Sequence, residues 1–366
     1  MEWGFVDIML TTNRNAWLSR FAYFTVFSTL CLISLGGVVT STETGMTVPD
    51  WPNSYGYNMF LFPISLWQGG IFYEHSHRLL GSFVGLLTIC LALWVHFSKG
   101  VSKTTKTMAW IAIPLVVFQG ILGGLRVELV KDWIGIFHAV VAQCYLVYLS
   151  IIAFRLSKTG MTKEFSKDAN ALSKISKATT ILAFAVLLQL ALGATMRHQH
   201  QGLAVPDFPT AYGAFWPDTS ASAMAELNEV RSFNDEPELS AFHVNVHMVH
   251  RLFAYVLLIA TTTFIIVAIR KNWFKRAGYS LGIPIAWGCL IWGQGLLGIV
   301  TVLKNKPADI ATLHVVVGAL TLVLVSLVAY SSKQSKKSSH KDALTSLDHI
   351  PQTSDEKEVA TISSAA

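Results

Sequence analysis

Residues 74–78 read Glu-His-Ser-His-Arg and open an almost wholly apolar run, LLGSFVGLLTICLALWV. A carboxylate, two imidazoles and a guanidinium in that place can move protons, ligate a metal or hold an anion. Each ionisable group deep in a bilayer costs on the order of 3 kcal/mol on insertion scales, so such residues point to function. Glu74 and His77 stand three residues apart, and Glu74 and Arg78 four, which puts them on one helical face. Glu74 then has two readings: simple charge pairing with Arg78, or a carboxylate held ready for proton transfer.

Three more histidines extend the pattern. His250-Arg251 repeats His77-Arg78, and His138 in FHAVVAQ matches His314 in LHVVVGA. His77 and His138 are 61 residues apart, and His250 and His314 are 64. A single histidine near a helix end is more often an interfacial or hydrogen-bonded residue than a ligand. Four in matched pairs point to ligation. Two facing imidazoles in an apolar bundle make an axial pair for haem iron, with the flat macrocycle between helices. Zinc and copper are the rival metals, but they call for sets of three or four ligands that these pairs lack. Arg78 and Arg251 suit either salt bridges or haem propionates. One position breaks the symmetry: His247 stands where Glu74 stands in the first half. Two equivalent electron carriers would leave that difference unexplained, whereas an acid in only one half fits one reacting site and one permanent cofactor.

The elements that must position these residues are membrane helices. Of 366 residues, 52% are apolar and 14% charged, far too few charges for a soluble chain of this length. Apolar runs long enough to cross a ~30 Å hydrocarbon core recur near residues 21–41, 73–96, 107–126, 133–154, 178–196, 243–269, 280–303 and 309–330. The loops at 97–107, 155–177 and 270–276 and the tail after 331 are rich in Lys and Arg, and the alternate loops are poor in them. Both termini are therefore expected in the cytoplasm, with the histidines near the outer face. The first 20 residues show no cleavable signal pattern, so the first span is expected to be a retained anchor. The net charge of +6 reflects this topological bias and makes no case for nucleic acid. Cys31, Cys90, Cys144 and Cys289 all fall inside spans, without CxxC spacing, and read as small packing residues rather than a disulfide framework.

The chain also repeats itself. TGMTVPDWPNSYG (44–56) in one outer loop matches QGLAVPDFPTAYG (201–213) in another, and QGILG (119–123) matches QGLLG (294–298). The fold expected is an all-α membrane protein of eight transmembrane helices, two tandem four-helix bundles related by pseudo-two-fold duplication. Both copies insert the same way, so the axis should lie along the membrane normal. The divisions are a cytoplasmic N-terminal segment (1–20), a first half (21–154), a cytoplasmic linker (155–177), a second half (178–330) and a disordered cytoplasmic tail (331–366). The Pro-aromatic-Pro loops are stiff turns able to lid the outer mouth of each half, or plain interfacial aromatic anchors. AMAELNEVRSF (223–233), in the long acidic 197–242 loop, is expected to be a short surface helix.

The Glu-x-x-His-Arg opening of the second span, the single histidines opening the fourth and eighth, and the repeated Gly-x-x-x-Pro-Asp-aromatic-Pro loop together closely resemble haem A synthase, over residues 20–330. The resemblance implies an oxidoreductase of cytochrome oxidase assembly that oxidises a methyl group of haem O to a formyl group, by successive hydroxylations to a gem-diol that loses water. It implies that His77 and His138 bind the substrate haem, that Glu74 serves the oxidation, and that His250 and His314 hold a haem b cofactor. It further implies a bacterial plasma membrane or its equivalent, membrane lipid around the chain, and haem O synthase and an electron acceptor as partners; a homo-oligomer is compatible with it. Many members carry an outer-loop cysteine pair and this chain has none, so no thiol relay is expected. Two other readings use the same four ligands: a di-haem cytochrome b-like quinol oxidoreductase subunit, and a non-enzymatic haem carrier. Glu74 opposite His247 favours the synthase over both.

Overall fold

A computed structural model describes residues 2–157 and 168–348, with side chains over 16–157 and 168–335. The helices are α1 (Glu2–Ser41), α2 (Gly69–Phe97), α3 (Lys103–Leu129), α4 (Asp132–Leu156), α5 (Ala169–His198), α6 (Ala221–Phe233), α7 (Ala241–Arg270), α8 (Trp273–Arg276), α9 (Gly282–Leu303) and α10 (Ala308–Asp348). Among the described residues, eight are long and apolar enough to cross a membrane, all but α6 and α8. The chain is an all-α integral membrane protein. α6 is the short helix expected in the acidic loop.

Helix packing follows the chain order. α1, α2, α3 and α4 close one ring, and α5, α7, α9 and α10 a second, with α1 and α4 meeting α5 and α10 along a seam. At one end of each ring the interior is solid. Leu18, Val84, Leu91, Ala109, Leu149 and Ile152 fill the first, and Leu182, Leu257, Ile265, Trp287, Leu322 and Val325 the second. Among membrane helices, whose outer faces meet lipid rather than water, such close packing favours association through van der Waals contact. The opposite end of each ring is hollow, and all the histidines singled out above lie there.

Three expected boundaries move. The helix of the first span begins well before residue 21, since α1 runs from Glu2, with Leu18 in the core; Arg20 does not interrupt it, its guanidinium lying 4.8 Å from the Trp17 ring. α5 starts at Ala169, not 178. Asp168 caps it by accepting from the Ala171 N–H at 2.9 Å, and Lys174 lays its ammonium over Trp273 while Ala171, Leu172 and Ile175 join a core cluster. The linker thus shortens to 157–168, of which 158–167 lie outside the described residues. The third change corrects the expected disordered tail at 331–366, since α10 continues to Asp348. The Ser332 and Ser335 hydroxyls donate to the Val328 and Ser331 carbonyls one turn back. A serine-rich stretch can satisfy itself inside a helix in this way. Ser331 is buried against Tyr279, whose hydroxyl lies 2.7 Å from it; residues 349–366 lie outside the described residues. Of the cysteines, Cys31 is half-buried and the other three are exposed on the helix surfaces, where they pack against nothing in the core.

Candidate functional site

The two outer loops are the same structure built twice. Trp51-Pro52 and Phe208-Pro209 are both cis, and isolated bridges join Ser54 to Tyr57 and Ala211 to Ala214. Asp50 accepts from the Tyr55 and Gly56 N–H groups at 2.6 and 2.8 Å; Asp207 accepts from Tyr212 and Gly213 at 2.8 and 3.2 Å. Gly56 and Gly213 sit at φ +77° and +78°, a left-handed conformation that glycine adopts without a Cβ clash. The tyrosine of each loop then donates its hydroxyl back to the carbonyl of Thr47 or Ala204.

Each loop is clamped to the helix that carries a histidine. In the first half Arg78 donates to the carbonyls of Asp50 and Asn53 through Nη1, at 2.6 and 2.9 Å. Its Nη2 reaches the Val48 carbonyl and Glu74 Oε1, both at 2.7 Å. In the second half Arg251 donates to the carbonyls of Val205 and Thr210 at 2.7 and 3.2 Å. Both arginines thus donate to loop backbone, Arg251 with its buried Nε left without a partner, and Arg78 also forms an ion pair with Glu74.

Glu74 is 4% exposed, and its other oxygen, Oε2, accepts the Val48 N–H at 2.9 Å. His247 occupies the equivalent place, its Nδ1 accepting the Val205 N–H at 3.2 Å. The same loop amide is therefore satisfied by a carboxylate in one half and by a neutral imidazole nitrogen in the other. Only the first half has a buried acid here. His75, the other imidazole of the opening motif, is buried between Phe62 and Trp67, each ring 4.8 Å away. Its Nδ1 lies 3.1 Å from the Ser54 hydroxyl, so it braces the loop and does not face the cavity.

All seven residues singled out in the sequence, Glu74, His77, Arg78, His138, His250, Arg251 and His314, line one cavity of about 850 Å³. That is within the size range of small-molecule and cofactor sites, roughly 300–1,000 Å³. Its walls also show what the sequence reading missed. Each histidine lies against a glycine of a neighbouring helix, so close that a Cβ there would meet the imidazole Cε1. The approaches are 2.9 Å at Gly36 for His77, 3.1 Å at Gly123 for His138, 3.2 Å at Gly193 for His250 and 3.1 Å at Gly298 for His314. One turn before three of these glycines stands a glutamine. Gln119 Nε2 donates to the His138 carbonyl at 2.8 Å and lies 3.1 Å from its Nδ1. Gln189 Nε2 donates to the His250 carbonyl at 3.0 Å and lies 3.2 Å from the ring's Nε2, and Gln294 Nε2 lies 3.4 Å from His314 Nε2. The fourth position in this Gln-x-x-x-Gly register is Leu32, before Gly36.

These observations test the fit of a haem. The buried Nδ1 atoms of His77, His250 and His314 have no partner, which is costly unless something in use requires it. The rings stand in slots with no room for a side chain opposite. Among the described residues no three His, Cys, Asp or Glu side chains converge as a metal cage, so the imidazoles are available in twos. A flat, apolar macrocycle with two axial bonds suits this donor set.

Comparison with known proteins agrees in extent. The family described as cytochrome oxidase assembly protein matches residues 19–326. A protein named heme A synthase from Halalkalibacterium halodurans is 26% identical over 322 residues, covering 86% of this chain and 97% of its own. Relatives of the same name come from Bartonella quintana, 23% identical over 340 residues (82% and 87% covered), and from Neorickettsia sennetsu, 23% over 320 residues (80% and 92%). With that match running from the first span to the last, the chain belongs to the cytochrome oxidase assembly protein family.

Proposed function

We propose that this protein is a haem A synthase, an oxidoreductase that converts a methyl group of haem O to a formyl group by successive hydroxylations, the resulting gem-diol losing water. The observation that carries the reading is the exchange of Glu74 for His247 as acceptor of the same loop amide, that of Val48 in one half and Val205 in the other. Two identical electron-carrying sites, or two carrier sites, have no use for a buried acid in one copy only. The relatives' names agree with the reading.

In this proposal residues 21–154 form the substrate half and 178–330 the cofactor half. His77 and His138 would hold haem O, and His250 and His314 would hold a haem b, which would supply electron-transfer chemistry there when bound. Each of these rings lies in a glycine slot built by helices of its own half, which supports pairing inside each half. Glu74 faces the substrate cavity with Arg78 and the Val48 amide holding it in place, positioned to accept a proton released as the methyl is oxidised. The two aromatic loops roof the cavity and keep water from it. The lysine- and arginine-rich loops support a topology with both termini in the cytoplasm and the histidines near the outer face. Haem O synthase as the supplier, and a separate electron acceptor, complete the reaction.

The test is haem extraction and chromatography from membranes of a host that makes haem O but no haem A, expressing wild type or Glu74→Gln. Wild type is expected to yield haem A, and Glu74→Gln to yield none while haem b stays bound. Haem A at wild-type level from Glu74→Gln would remove the acid from the mechanism. Haem O left untouched by a well-expressed, haem-loaded wild type, with a competent acceptor supplied, would sink the synthase.

A further inference from the structure

The cavity wall holds two guanidinium groups besides the loop clamps. Arg197 is committed to neutral acceptors: it donates to the Gly37 carbonyl and the Ser41 hydroxyl, both at 2.7 Å, and towards the Ala311 carbonyl at 3.4 Å. These bonds tie α5 to α1 across the seam and to α10 within its own ring. Arg126, in the last turn of α3, is different. Two glycines make room for it. A Cβ at Gly135 would come within 2.8 Å of its Nε, and one at Gly45 within 3.3 Å of Nη1. Its buried Nε has no acceptor, and among the described residues no carboxylate pairs with it within 4.0 Å. Of the acids of this region, Glu74 is engaged with Arg78 and Val48 and Glu128 with the Trp51 N–H, while Glu43 and Asp132, which line a small neighbouring pocket with Arg126, stand beyond ion-pair distance of it. Arg126 lines the same cavity as His77 and His138. The register that matches Gln119 with Gln294 puts Thr301 at its place in the second half.

A guanidinium set in a slot, largely out of water and without a counter-ion, is unfavourable on its own and favours a planar two-oxygen acceptor. We propose that Arg126 is a carboxylate-binding residue of the first half, pairing with a propionate of the haem substrate. This rests on the reading of the first half as the substrate site. The two propionates of a haem lie on one edge of the ring. Fixing that edge fixes the rotation of the macrocycle about its iron axis, and so determines which methyl is presented to Glu74. The histidines alone cannot set that rotation, because an axial bond is indifferent to it. A permanent cofactor needs no such choice, which accounts for Thr301 in the other half.

The test titrates the full chain, purified in detergent with its resident haem in place, with iron protoporphyrin and separately with its dimethyl ester, followed by optical difference spectra. Wild type is expected to bind the diacid at least about tenfold more tightly than the diester. Arg126→Gln is expected to bind both with the affinity that wild type shows for the diester, and Arg126→Lys to keep part of the preference. Equal binding of acid and ester by wild type overturns the proposal without any variant, so a misfolded Arg126→Gln does not shelter it. Arg126→Gln that still prefers the acid overturns it as well. His77→Ala separates the two ideas. If the titratable site, with its acid preference, survives in His77→Ala, the substrate is not held by the first half and the Arg126 proposal falls with that assignment; if His77→Ala loses the site while Arg126→Gln keeps the preference, only the Arg126 proposal falls.

Discussion

At the scale of single residues, the two halves differ by what accepts one backbone N–H. Glu74 and Arg78 form a buried ion pair, and removing one partner of such a pair costs about 3–5 kcal/mol because the other charge is stranded. Glu74→Ala should therefore lose both activity and stability, whereas Glu74→Gln keeps an acceptor for Val48 and should lose mainly activity; thermal denaturation of the two variants beside haem analysis separates the effects. The loop aspartates give a pH prediction. Burial raises the pKa of Asp50, but the N–H bonds from Gly56 and Tyr55, with Arg78 nearby, outweigh it and hold the carboxyl below its ordinary value. Asp207 is likewise lowered, burial again opposed by Tyr212, Thr210 and Gly213. A carboxyl depressed in the folded state stabilises it above the unfolded pKa of about 3.9, and that contribution is lost as pH falls through the folded value. Both loops should hold unchanged from pH 8 to 5 and loosen only below about pH 4, read by hydrogen exchange at Tyr55, Gly56, Tyr212 and Gly213. Asp207→Asn should loosen its loop at neutral pH and leave the other alone.

At the scale of elements, the recurrent device is a helix pair brought close by a glycine so that a histidine of one lies on the backbone of the other. Gly36→Ala places its methyl 2.9 Å from the His77 ring, and Gly193→Ala 3.2 Å from His250; the first should displace its ring more. Haem content per chain, by pyridine haemochrome, is expected to fall several-fold in Gly36→Val and Gly298→Val, with smaller losses for the alanine variants. Trp51 presents a related case: its indole lies so flat on Gly124 that a Cβ there would fall 2.3 Å from the ring. Gly124→Ala should lift this loop and raise the exposure of Trp51 to quenchers. The glycines also show how far the sequence could be read. Spans, repeat, histidines and Glu74 were legible because hydropathy and repetition are properties of one chain segment at a time. QGILG and QGLLG were visible as an echo, yet not as cradles, because the ring that each glycine meets comes from another helix. Arg126 was hidden for the same reason: a cation in a helix end reads as an interfacial anchor until its lack of a partner is seen in three dimensions.

At the scale of the whole molecule, two rings share a seam fastened by Arg197 and by Arg155, which donates to the Tyr330 hydroxyl. The last helix belongs to that framework beyond the expected end of the second half. A chain ending at Ser335 should keep wild-type haem content, and one ending at Tyr330 should lose stability with the Tyr279–Ser331 contact, as measured by thermal denaturation in detergent. The hollow end has a consequence for the life of the protein in a cell. Packing at the solid end is present from the moment the helices assemble, but the end with the histidines gains its filling only from ligand, and a ligand that binds only the folded state stabilises it in proportion to the logarithm of its free concentration. On the proposed haem-binding reading, a chain made when haem is scarce should be less stable at that end and more open to quality-control proteolysis than one made when haem is plentiful. Its abundance in the membrane should accordingly rise and fall with the haem supply, a post-translational gauge that requires no regulator beyond the empty space itself.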